Sequence, residues 1–240
     1  MNYPKNDDHQ NHTHQNHAHQ NRVRQQLADQ LAEAVAEALK TDLAEQERVL
    51  LVVSGGSTPV MFFQALAKKS LPWERVDITL ADERWVDEQG SESNARLVRE
   101  QLVQDKASPA RFVPLTSAVV TPEQGVAEVS GRLRGLAWPA SAVVLGMGGD
   151  GHTASLFPDS RELDLALSSD EPLVAVRTPS QPQPRITLSA DRLHQARRHF
   201  LHITGEDKRA VLARALAGDD ARKLPIRAFF ACPLAIYWAP

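Results

Sequence analysis

Val49–Val53 reads VLLVV, five apolar residues in a row with no polar face. Such a run is too short for a helix and suits a strand buried on both sides. Similar strands are predicted at 76–81, Ala142–Leu145, 200–204 and 235–238, with short β-like runs at Leu173–Val176 and Arg185–Leu188. Helical patterns separate them. Over about 22–46, Val23, Leu27, Leu31, Val35, Leu39 and Leu43 recur every four residues as an apolar stripe. Further helices are predicted from Pro59 to about residue 69, with Ser57 or Thr58 as N-cap, and over 93–103, 122–136 and Glu206–Ala217. Strands alternating with helices predict an α/β fold, a mostly parallel sheet covered by helices on both faces. In such sheets, ligands bind at the carboxyl ends of the strands.

Composition narrows the class. The 240 residues suffice for one large core. Residues 5–21, KNDDHQNHTHQNHAHQN, offer nothing to bury. They predict a disordered tail over 1–21 ahead of one α/β domain over 22–240. His12/His14 and His17/His19 have the chemistry to hold a soft divalent metal, but a solvated leader is the simpler reading. A net charge of -3 with no long basic run argues against nucleic acid as a partner. No stretch approaches the ~20 apolar residues that cross a bilayer, and no apolar signal region opens the chain. Cys232 is the single cysteine, which excludes an intrachain disulfide and cysteine-rich zinc sites. The chain is expected to be soluble and cytoplasmic.

Three polar loops follow predicted strands and should meet in one crevice. The first, Ser54-Gly55-Gly56-Ser57-Thr58-Pro59, leads from strand to helix start. Exposed amides, hydroxyls and the positive helix end suit a phosphate, and the loop lacks the lysine of a nucleoside-triphosphate P-loop. A tight turn with an N-cap would also produce this pattern. The second is the charged turn Asp82-Glu83-Arg84-Trp85, in which Arg84 has the geometry to fork onto a phosphate or carboxylate. A surface ion-pair cluster is the plainer alternative. The third, 146–155, carries Gly146, Gly148, Gly149 and Gly151 and presents Asp150, His152, Thr153 and Ser155. It matches G-x-G-x-x-G formally, but Pro158 forbids the long helix a dinucleotide site needs, and Asp150 would repel a pyrophosphate. A histidine here suits a general base, with a carboxylate two residues away to set its tautomer. A purely structural hydrogen bond is the competing reading. Arg185 is a further cation near a strand end, and Lys208 opposes the dipole in the first turn of its helix, where a bound anion would account for it.

These segments together resemble the 6-phosphogluconolactonase family. The resemblance rests on VSGGSTP at 53–59, ADER at 81–84 with Ser93-Asn94 downstream, LGMGGDGHTASLFP at 145–158, RITL at Arg185–Leu188 and TGEDKR at 204–209. It runs from about residue 24 to the C-terminus. It implies a three-layer α/β/α sandwich shared with glucosamine-6-phosphate deaminases and ribose-5-phosphate isomerases. It also implies hydrolysis of 6-phospho-D-glucono-1,5-lactone to 6-phosphogluconate in the oxidative pentose phosphate pathway, with no metal or other cofactor, by a monomer or weak homodimer.

By motif, His152 is the expected base, Asp150 its support, and Asp82 a third catalytic candidate that contacts a sugar hydroxyl or the histidine. Ser54, Gly55, Gly56, Ser57, Thr58, Arg84, Asn94, Gly149, Arg185 and Lys208 are expected to contact substrate, with the phosphate-binding cation left open. Amides of the glycine turn are expected to stabilise the oxyanion. Asp87 stands where the family usually has proline and Asp159 where glycine is common. The related deaminases carry a glutamate five residues after the histidine. Here Phe157 holds that position, which argues against deamination. A non-catalytic sugar-phosphate binder on the same fold is the alternative from a different class.

Overall fold

The computed structural model describes residues 7–240, with side chains from residue 18 onward. Its elements, in order, are α1 (Asp7–Leu43), β1 (Val49–Val53), α2 (Val60–Ala67), β2 (Val76–Leu80), β3 (Asp82–Arg84), α3 (Asn94–Gln101), β4 (Arg111–Val113), α4 (Pro122–Arg134), β5 (Ala142–Leu145), α5 (Leu163–Ser168), β6 (Leu173–Val176), β7 (Arg185–Leu188), α6 (Ala190–His194), β8 (His199–Thr204), α7 (Glu206–Ala217) and β9 (Leu234–Ala239).

Six strands form one sheet in the order β4-β2-β1-β5-β8-β9, every pair parallel. β1 and β5 are buried along their whole length, as expected of strands covered on both faces. On one side α1 lies against α2, β1, β5 and β9, and α2 against α3; α7 packs on β8. The predicted α/β sandwich with a mostly parallel sheet is therefore observed. From β1 the chain builds outward to β2 and β4, then returns to the other side of β1 with β5, β8 and β9. The order reverses between β1 and β5. The loops leaving these two strands diverge there and open a crevice. The opposite end of the sheet is tied by buried Asp77, which accepts from Arg48 and Arg111 at 2.6 Å each.

Four local readings change. Asp82–Arg84 is a strand, not a turn: β3 pairs antiparallel with β7, and β7 with β6, in a separate three-stranded sheet. Three residues are too few for period-two alternation to show. β4, equally short, escapes the sequence pattern for the same reason. No side chain caps α2; Pro59 is its N-cap, so Ser57 and Thr58 keep their hydroxyls free of that duty. Finally, α1 begins at Asp7, well before residue 22. Extending an existing helix closes one backbone bond per residue, and neither glycine nor proline interrupts 7–21. Residues 1–6, and the side chains of His12, His14 and His17 with their metal reading, lie outside the described residues.

Candidate active site

A cavity of about 290 Å³ opens at the β1/β5 switch point. All three polar loops line it, joined by Asn94, Gln181, Arg185, His202 and Lys208. Most of the expected site residues are thus brought together: Ser54, Gly55, Gly56, Ser57, Thr58, Asp82, Arg84, Asn94, His152, Arg185 and Lys208. Asp150 stands behind His152 rather than on the wall, and Gly149 is exposed and outside the cavity.

The glycine turn explains both placements. It folds on itself through Gly151 N–H to the Gly148 carbonyl at 3.1 Å and Gly148 N–H to the His152 carbonyl at 2.8 Å. Gly149 and Asp150 are left at its tip. Gly146 N–H is also engaged, on Ser54 Oγ at 3.4 Å. The expectation that the turn's amides serve an oxyanion is therefore corrected for Gly146, Gly148 and Gly151: their N–H groups hold the loop. Gly151 sits at φ 79°, a conformation natural only to glycine.

His152 Nδ1 lies 2.5 Å from Asp150 Oδ1, which also accepts the His152 backbone N–H at 3.1 Å. Partial burial pushes the Asp150 carboxyl up, but the hydrogen bond and charge of His152 outweigh it and hold its pKa below the ordinary range. An ionised carboxylate only accepts, so Nδ1 carries a proton, which makes Nε2 the acceptor nitrogen of the neutral ring. The ring packs on buried Phe157, centroids 4.3 Å apart. Gly148 passes directly beneath it: a Cβ there would stand 2.2 Å from both Nδ1 and Cε1.

Asp82 is buried and does not reach His152. Its Oδ2 accepts from Ser155 Oγ and lies 3.5 Å from Arg185 Nη1. Ala154, at φ 48°, turns the chain so that Ser155 points inward. Arg185 also donates to Gln181 at 3.1 Å and lies over Phe157 at 5.1 Å. Burial pulls its pKa below the usual value, opposed by Asp82 and assisted by Arg84, its direct partner across β3 and β7. Arg84 donates to the Glu92 carbonyl at 2.5 Å, and Lys208 to the Met147 carbonyl. Burial lowers the Lys208 pKa, with Asp150 opposing. Among the described residues, neither Arg84 nor Lys208 has a carboxylate partner within salt-bridge reach, whereas Arg185 has one.

Glu83 is the hidden organiser. Fully buried, its carboxyl accepts from the backbones of Arg84 (2.7 Å), Asn94 (2.9 Å) and Ala95 (2.7 Å) and from Ser93 Oγ (3.2 Å). Burial drives its pKa up against those donors. It anchors the start of α3, and Asn94 Nδ2 then reaches the Asp82 carbonyl at 3.0 Å. The Asn94 amide occupies the space where a Cβ on Gly55 would lie, 1.9 Å from Oδ1, so Gly55 must lack one. Asp87 closes its own turn by accepting from Gln89 N–H at 2.7 Å. Asp159 accepts from Thr178 and Ser180, tying down the segment that carries Gln181.

Sequence reasoning missed Gln181 and His202. Gln181 lies in a proline-rich loop with no motif. His202 reads as one more residue of a buried strand, although a histidine near a strand's carboxyl end was a usable signal.

Comparison with known proteins agrees with this fold. The family of glucosamine-6-phosphate isomerases/6-phosphogluconolactonase matches residues 22–238. A 6-phosphogluconolactonase of Pseudomonas aeruginosa is 45% identical over 212 residues, 88% of this chain and 89% of its own. One from Rhizobium meliloti is 44% identical over 219 residues, 89% of this chain and 94% of its own. The crystal structure of a 6-phosphogluconolactonase from Shewanella baltica superposes with a TM-score of 0.89 at 43% identity, covering 90% of this chain and 94% of that one. A monomeric glucosamine-6-phosphate deaminase shares the fold, with a TM-score of 0.73 at 16% identity. The chain belongs to the glucosamine-6-phosphate isomerase/6-phosphogluconolactonase family, as its motifs implied.

Proposed function

We propose that this protein hydrolyses 6-phospho-D-glucono-1,5-lactone to 6-phospho-D-gluconate in the oxidative pentose phosphate pathway, with His152 as general base and no metal. The observation that carries the reading is His152 on the cavity wall, backed by Asp150, with Arg84 and Lys208 on the same wall and, among the described residues, no carboxylate paired to either. Hydrolysis of a cyclic ester needs a water, a base for its proton, and positive charge near the carbonyl oxygen. With Nδ1 committed to Asp150, His152 Nε2 takes the proton as water attacks C1. A positioned base of this kind contributes roughly 10²–10⁴-fold. Arg185 lies over the same Phe157 ring that supports His152, and supplies positive charge to the developing oxyanion.

The 6-phosphate is read by loop 54–58 together with Arg84 and Lys208. Arg185, tied to Asp82 at 3.5 Å, serves the lactone end together with Asp82 and Asn94. Anchoring through a remote phosphate fixes C1 against the base. Phe157 favours this reading over amino-sugar isomerisation, because an apolar ring replaces the carboxylate ring opening would use. The substrate is a diffusible sugar phosphate, so the proposed setting is the cytoplasm, without nucleic acid as a partner.

The test is the loss of freshly made 6-phosphogluconolactone, above its spontaneous rate, with wild type and His152→Ala. Acceleration that disappears in a folded variant supports both activity and base. No acceleration by wild type overturns the proposal in favour of a sugar-phosphate binder.

A further inference from the structure

His202 is a polar group that the mechanism above leaves unused. It lies on β8 near the carboxyl end, is only 4% exposed, and yet lines the cavity. β5 and β8 run in register with Leu145 opposite Leu201, so His202 stands level with Gly146, whose N–H is bound by Ser54 Oγ. Its ring meets Phe62 of α2 edge-on, centroids 6.1 Å apart at 77°. It is thus wedged between the glycine turn and the helix that follows loop 54–58.

Nδ1 of His202 is sealed from solvent and has no hydrogen-bond partner. A buried N–H with no acceptor is costly, so Nδ1 stays unprotonated. Burial lowers the pKa to about 4, which keeps the ring neutral near pH 7. A neutral imidazole has one N–H. With no acceptor at Nδ1, that hydrogen resides on Nε2, the nitrogen left to serve the cavity.

We propose that His202 is a substrate-binding residue that donates a hydrogen bond from Nε2 to the phosphate group seated on loop 54–58. The proposal rests on the placement of the phosphate in the functional reading above. A neutral donor at this depth adds a directed contact to a dianion without adding a buried charge. It also distinguishes a phosphorylated lactone from a bare one, since only the former reaches the β8 wall.

Inorganic phosphate is the probe, because its binding needs no turnover. Wild type, His202→Leu and His202→Asn are titrated with it by protein-observed NMR, after thermal melts establish folding. Loss of a hydrogen bond to a charged group predicts a Kd about tenfold higher in His202→Leu, with most of the affinity kept in His202→Asn, which retains an N–H donor. KM for the phosphorylated lactone rises in His202→Leu while kcat holds, and hydrolysis of unphosphorylated gluconolactone is unchanged. Phosphate binding by His202→Leu within about twofold of wild type overturns the proposal. So does equal impairment of both lactones, which marks a packing role. If His202→Leu does not fold, His202→Phe replaces it. If wild type binds phosphate but hydrolyses no lactone, the functional reading fails while the titration still decides the role of His202.

Discussion

Gly148→Ala is the sharpest perturbation of the proposed chemistry, because it moves the base without touching it. A Cβ at residue 148 would lie 2.2 Å from His152 Nδ1 and Cε1 and 2.6 Å from Asp150 Oδ1, where ordinary contact begins near 3.4 Å. The ring and the carboxylate must both retreat by about 1 Å. Phe157, packed against the imidazole at 4.3 Å, limits the directions open to it. The backbone itself can accept alanine, because Gly148 is not among the glycines with positive φ. Replacing glycine at a compatible site gains about 0.4–1 kcal/mol through the unfolded chain. A strained His152–Asp150 bond loses a similar or somewhat larger amount. Global stability should therefore change by less than about 2 kcal/mol. Catalysis should fall far more, because a 1 Å misplacement costs about 10²-fold and full loss of a base roughly 10²–10⁴-fold. The assay is initial-rate lactone hydrolysis corrected for the spontaneous reaction, beside a urea unfolding curve. Gly149→Ala, in the same turn with nothing within 4 Å of its Cβ, is the matched control and should stay near wild type. A folded Gly148→Ala enzyme with kcat within about threefold of wild type would refute the claim that this His152 geometry drives the reaction.

Two further outcomes follow from the cavity. Arg84→Ala should raise KM for the phosphorylated lactone about tenfold or more and leave unphosphorylated gluconolactone nearly unchanged; equal losses on the two would remove Arg84 from phosphate reading. His202 makes stability pH-dependent. Its pKa is about 4 in the folded protein against an ordinary 6.5, so between these values the unfolded chain binds more protons. Its contribution is complete above about pH 6.5 and is lost as pH falls toward 4, about 3 kcal/mol in all. Unfolding free energies of wild type and His202→Leu at pH 7 and pH 4.5 check this: wild type should lose more on acidification, and parallel losses would mean that the folded histidine titrates normally.

The sequence by itself determined the α/β class, a cavity at the carboxyl ends of the strands, and the meeting of three loops there. These depend on short-range facts: VLLVV has no polar face, the glycines of 146–151 permit one kind of turn, and strand–helix alternation leaves little choice of topology. The family resemblance carried the same motifs to a substrate class. What only the tertiary structure decided concerns partners distant in the chain. Asp82 reads in the sequence as a companion of His152, yet it binds Ser155 and Arg185, 73 and 103 residues away. Arg84, Arg185 and Lys208 are alike as sequence. They separate once the fold gives Arg185 a buried carboxylate and, among the described residues, leaves the other two without one. Gly55 and Gly148 look like loop lubrication until Asn94 and His152 are seen in the space their missing Cβ atoms leave. His202 is a strand residue by pattern, and the packing of β5, β8 and α2 around it makes it part of the cavity wall. Local patterning reports which face of a segment is buried. It carries no information on which buried polar groups will face one another, because that depends on how segments stack in space.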